Sequence, residues 1–136
     1  MIKIIAGRKG SGKTKRLIGM TNDSAKDAHS DIVFIDDDNR YMFDVHTKVR
    51  FINAGEYGIT TAEMFFGFIC GTLSQNFDVG LVFIDAFKKL IKSDLSETQW
   101  FFDRIMELSR VYHVEFILSV SEDPDNLPDF MKTFLI

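Results

Sequence analysis

One stretch combines residue types and spacing that could do chemistry together: Gly7-Arg8-Lys9-Gly10-Ser11-Gly12-Lys13-Thr14. A glycine, four residues, then Gly-Lys-Thr is the pattern of a phosphate-binding loop. Gly7, Gly10 and Gly12 can take positive φ, so successive backbone N–H groups can curl around an anion. A helix opening at Lys13 would aim its free N–H groups and its dipole at the same phosphates. Lys13 would bring a cation to the β- and γ-phosphates, and Thr14 a hydroxyl to magnesium. Arg8 and Lys9 can contact phosphate or face solvent.

A second stretch fits the first. Leu81-Val82-Phe83-Ile84-Asp85 is four apolar residues ending in an acid. An aspartate at such a strand end can hold the magnesium shell beside the threonine hydroxyl. Its ordinary alternative is a cap on the following turn. Ile32 to Asp36 comes close to the same pattern, but it follows the loop too soon and runs into further acids, so Asp85 is preferred. Hydrolysis also needs a group that orients and deprotonates water. Glu56, at another strand end, is a candidate, and Lys13, Asp85 and Glu56 form the expected catalytic set. Asp36, Asp37 and Asp38 are further candidates. Each also has an ordinary reading: Glu56 as a turn residue in water, the aspartates as a solvated, self-repelling run. His29, His46 and His113 are scattered, and none pairs with a cysteine or carboxylate at metal spacing. Arg50, Arg104 and Arg110 read first as exposed ion-pairing residues.

The elements that must position these residues follow from periodicity. Residues 1–6 read as a buried strand and 13–27 as a helix. Residues 31–36 form a short strand, apolar in its middle, as a strand covered on both faces is. Residues 48–52 alternate charged and apolar, so one side of that strand meets water. Thr60-Thr61-Ala62-Glu63 has capping-box spacing and opens a helix to about residue 76. Gly67 and Gly71 on it point to close approach by the sheet or another helix, since glycine there costs about 1 kcal/mol against alanine. Residues 81–85 are a strand, and 86–95 a helical turn and a loop. A second capping box, Ser96-Glu97-Thr98-Gln99, opens a helix to about residue 110. Residues 114–120 are a strand. A short helix begins near Asp125 with Pro128 in its first turn, and 133–136 either forms an edge strand or ends that helix. Such alternation predicts a single-domain α/β fold over 1–136, three layers deep, with a mostly parallel sheet between helices. Ligands then bind beyond the carboxyl ends of the strands.

Composition sets outer bounds. A chain of 136 residues suits one domain, and its 46% hydrophobic and 26% charged residues are those of a globular protein. Most of the 14 phenylalanines, and Trp100, read as core filler. A net charge of −4 gives no support for a nucleic-acid surface. Cys70 is the only cysteine, so no internal disulfide can form, and a reduced, cytoplasmic compartment is expected. No secretory leader is read at the start, and no apolar run approaches the roughly 20 residues of a membrane span.

Through residues 7–14 and 81–85 and the order of its elements, the chain resembles the P-loop NTPase superfamily. The additional-strand, RecA-like branch of that superfamily carries a polar sensor at the end of the strand after the acidic one. Ser119 and Ser121 sit at that position here, although two serines at a strand end are also ordinary turn residues. Residues 7–14, 31–40, 67–77 and 81–87 together are similar to small stand-alone ATP-binding proteins labelled twitching-motility-type. The chain lacks the length and histidine-rich motifs of pilus-retraction ATPases, so no such role follows. The resemblance implies ATP and magnesium as ligands, with residues 7–14 on the nucleotide and Thr14 and Asp85 on the metal. The guanine-reading Asn-Lys-x-Asp pattern is absent. Many ATPases of this branch place a glutamate after the acidic-strand aspartate, where this chain has Ala86. The expected function is a slow ATPase or nucleotide-dependent switch acting with a protein partner or as a homo-oligomer. The alternatives are a small-molecule kinase using Asp36–Asp38 and a nucleotide-stabilised interaction module. Shikimate-type kinases offer a similar acidic pair, but no arginine-rich lid stands out between residues 86 and 113.

Overall fold

The computed structural model describes residues 1–136. The apolar runs become five strands: β1 (Ile2–Gly7), β2 (Asp31–Asp36), β3 (Arg50–Asn53), β4 (Val79–Ile84) and β5 (Glu115–Ser121). They pair in the order β1-β5-β4-β2-β3, and every pairing is parallel. β2 is buried without a break from Ile32 to Asp36, as its coverage on both faces requires. The last residues add a single parallel bridge from Leu135 to Ile4, one rung rather than a full edge strand.

The helices are α1 (Lys13–Asp27), α2 (Ala62–Ser74), α3 (Phe87–Ile91), α4 (Gln99–Tyr112) and α5 (Asp129–Lys132). They divide between the two faces of the sheet. Leu17 and Ala25 of α1 pack with Ile5, Phe34, Phe83 and Ile117 on one face. α2 to α5 cover the other face, where Phe65, Phe87, Phe101 and Met131 meet Ile35, Ile84 and Leu118. Phe65, Phe87, Phe101 and Phe102 contact one another with ring centroids 5.1–6.3 Å apart. Most phenylalanines are therefore core, while Phe43 and Phe77 lie in solvent. Trp100 is half-buried, edge-on to Phe66 and Phe101. No helix is long and apolar enough to cross a membrane.

The two-residue alternation of a strand fixes what stands beyond each apolar face. Phe34, Phe83 and Ile117 point towards α1. Two residues on, Asp36, Asp85 and Ser119 keep that parity. They form a row at the carboxyl ends of three adjacent strands, one step past the in-register residues Ile35, Ile84 and Leu118.

Local expectations differ from the structure at five places. The last helix begins at Asp129 with Pro128 as its N-cap, and the expected start near Asp125 falls in a separate 3-10 turn, Pro124–Asn126. The cap of α2 is Thr61, whose hydroxyl accepts from Met64 N at 3.1 Å, so the cap is one residue later than the spacing implies and, with Met64 at the third helical position, no capping box forms. At 96–99 no capping box forms. Leu95–Glu97 is a 3-10 turn capped by Asp94, and Thr98 Oγ1 donates to Leu95 O at 2.7 Å instead of accepting from a first-turn N–H of α4. Gly67 and Gly71 mark no close approach: both are exposed, and a Cβ at either would meet nothing within 4 Å. Gly7 does not take positive φ. It lies in β1, and its lack of a side chain makes room for Ser11, whose Oγ would stand 2.5 Å from a Cβ.

Candidate functional site

The loop after β1 is held by its own backbone. Gly10 and Gly12 adopt φ of 83° and 88°, the left-handed conformation that favours glycine. Ser11 N and Lys13 Nζ both donate to Arg8 O at 3.0 Å, which closes residues 8–13 into a tight curl. Gly12 is the N-cap of α1 and offers no side-chain cap. The first-turn N–H groups of a helix have no acceptor within it, so they remain available at the loop. Lys13 is buried, and burial lowers its pKa while the nearby Asp85 charge partly restores it. Arg8 points away and pairs with Asp123 at 3.0 Å.

Opposite the loop stands the polar row. Thr14 Oγ1 lies 3.1 and 3.3 Å from the two carboxylate oxygens of Asp85. Ser119 Oγ donates to Asp85 Oδ1 and accepts from Ala86 N. Asp85 N in turn donates to Ile35 O at 2.8 Å, which pins the acid to the end of β2. Thr14, Asp85 and Ser119 thus present a continuous set of hard oxygen donors, the chemistry that suits magnesium.

Asp36 completes the row and departs most from its sequence reading. It is not part of a solvated cluster: only 1% of it is exposed. Its Oδ1 accepts from Asp37 N at 2.7 Å, while Oδ2 as a carboxylate has no partner. Burial, then a hydrogen bond to the Asp37 carboxylate and the Asp85 charge, push its pKa up to about 8. Burial would also raise Asp37. The proton on Asp36 and the Lys89 ammonium, 3.0 Å away, instead hold Asp37 below the usual value. Asp38 pairs with Arg40 at 3.5 Å. Asn53, in register with Asp36 on β3, likewise has a buried side-chain oxygen without a partner.

Most of these residues, though not Arg8, Ser11 or Asn53, line one open cavity of about 810 Å³. Lys9, Gly10, Gly12, Lys13 and Thr14 line one side of it. Asp36, Asp85, Ser119 and Ser121 line the strand ends. Glu56 is not brought to it: it is exposed in the 3-10 turn Ala54–Tyr57 after β3. Arg40, Tyr41, Asp44 and Lys89 extend the cavity beyond the acidic run and are residues that sequence patterns did not single out. The burial of Asp36 did leave a signal, because it follows Phe34 at the two-residue period of a fully buried strand. No protein-family model matches the chain, and no curated protein matches it.

Proposed function

We propose that the chain is a P-loop nucleotide-binding protein that takes a magnesium nucleoside triphosphate, ATP by preference, and hydrolyses it slowly. The observation that carries this reading is the convergence of the glycine curl, Lys13 and the Thr14–Asp85–Ser119 oxygen set on one cavity. The strand order supports the additional-strand branch, since β5 lies between β1 and β4 and carries Ser119 in contact with Asp85. The amides of the curl and of the first turn of α1 bind phosphate oxygens. Lys13 leaves Arg8 O to meet them. Thr14 and Asp85 hold magnesium, which when bound neutralises charge on the β- and γ-phosphates.

Ala86 leaves the position after Asp85 without a carboxylate. Asp36 lines the cavity beside Asp85, and its buried Oδ2 has no partner once the proton is lost, so in that form it takes the role of orienting water and accepting its proton. A base with a pKa near 8 is largely protonated at pH 7, and turnover is accordingly slow and rises with pH. Kinase chemistry is the second reading, favoured by the extension of the same cavity past Asp37 and Asp38 to Arg40 and Lys89.

Phosphate release measured alongside nucleotide titration tests both readings. Asp36→Asn should keep ATP affinity within about threefold and cut release by about 100-fold, the scale of a lost general base. Wild-type release in Asp36→Asn would overturn the assignment of the base. Release that appears only on addition of a second substrate would favour the kinase.

A further inference from the structure

The chain has a second concavity, of about 530 Å³, between β3 and the C-terminal half of α2. It lies towards the amino ends of the strands, where Asp31 and Val79 line it, whereas the first cavity lies at Asp36 and Asp85. Its floor is apolar: Val33 and Val79 are buried on this face of the sheet, and Ile52 and Phe68 are half-buried. The groove is open because of sequence on both sides. Phe51 turns to the opposite face of the sheet and stacks on Phe34 at 5.7 Å, so the alternate residues Arg50 and Ile52 face the groove. On the helix side Gly71 brings no side chain, and a Cβ there would meet nothing within 4 Å.

The rim carries an unusual charge for a chain of net charge −4. Lys48 and Arg50 both line the groove, and neither takes part in an ion pair. Asp31 is the single acid of the lining, and it is engaged by Asn76 Nδ2 at 2.9 Å. Two free cations above an apolar floor, in a volume within the roughly 300–1,000 Å³ of small-molecule sites, are complementary to an anionic group on an apolar body.

We propose that this groove binds a small amphipathic anion, such as a medium-chain carboxylate, at a site separate from the nucleotide cavity. The carboxylate meets Lys48 and Arg50, and the apolar body lies over Val33, Ile52 and Phe68. Nothing in this depends on nucleotide binding at residues 7–14.

The test is a titration of the isotope-labelled full chain with sodium octanoate, followed by backbone amide shifts. The result expected is saturable shifts centred on Arg50, Gly71, Gln75 and Asn76, unchanged in Lys13→Ala. The Lys48→Ala/Arg50→Ala double variant should weaken binding by about tenfold or more, a loss typical of charge-assisted contacts. Gly71→Leu, which fills open space and favours the helix, should block binding while leaving the fold intact. Absence of shifts, shifts centred on residues 9–14 and 36–41, or unchanged affinity in both variants would overturn the proposal.

Discussion

Asp36 combines burial, a free oxygen and a position beside Asp85, and its cost to the fold can be measured. An aspartate in the unfolded chain titrates near about 3.9. Asp36 in the folded chain titrates near 8, so between about pH 4 and pH 8 the folded state holds one proton more than the unfolded state. The stabilisation from this group is therefore full below about pH 4 and is lost as pH rises through about 8. Asp37 acts in the opposite sense, and its contribution is lost only under more acidic conditions. Asp36→Asn removes the charge that must be buried. Thermal melts should show the variant several degrees more stable than wild type at pH 8 and close to it near pH 4. A variant less stable than wild type at pH 8 would mean that ionised Asp36 supports the fold. Stabilisation together with lost turnover is the pattern of a residue retained for chemistry rather than for packing.

Among the elements, α2 gives the clearest test. Gly67 is exposed, has no neighbour near its missing Cβ and does not adopt positive φ. Gly67→Ala should then stabilise the chain by about 1 kcal/mol in denaturant unfolding, the helix-propensity difference alone. A loss of stability would instead reveal a contact that the glycine protects. The two glycines also show where sequence reasoning stops. Their one-turn spacing is visible in the chain, but whether that face meets sheet, helix or solvent depends on tertiary placement. By contrast, β1, α1 and β2 were legible almost to the residue, because a buried apolar run, a glycine loop and a periodic helix are all local signals. The partnership of Thr14 with Asp85 was legible from two local motifs. The burial of Asp36 was not read from the aspartate run, because three acids in a row look solvated until strand parity is followed past Phe34. The capping-box spacing at 96–99 yields no box because a 3-10 turn occupies Leu95–Glu97 and Thr98 turns back to Leu95, neither of which is visible in the spacing.

At the scale of the molecule, one parallel sheet brings the ends of distant segments together. The loop at residues 7–14 and the acids at 36 and 85 share one rim because β1, β5, β4 and β2 all run parallel, which puts their carboxyl ends on the same side. A ligand bridging these segments ties β1, β4 and β2 into one unit. Magnesium ATP at about 100 times its dissociation constant should therefore raise stability by about 2.7 kcal/mol, read as a rise in melting temperature that Lys13→Ala abolishes at the same concentration. The most direct test of the central claim is a calorimetric titration of wild type and Lys13→Ala with ATP, with and without magnesium. One saturable site strengthened by magnesium in wild type, and affinity lower by about 100-fold or more in Lys13→Ala, is the predicted result, since the variant loses a charge-assisted phosphate contact. Equal affinity in the two chains, or no binding in wild type, would contradict it.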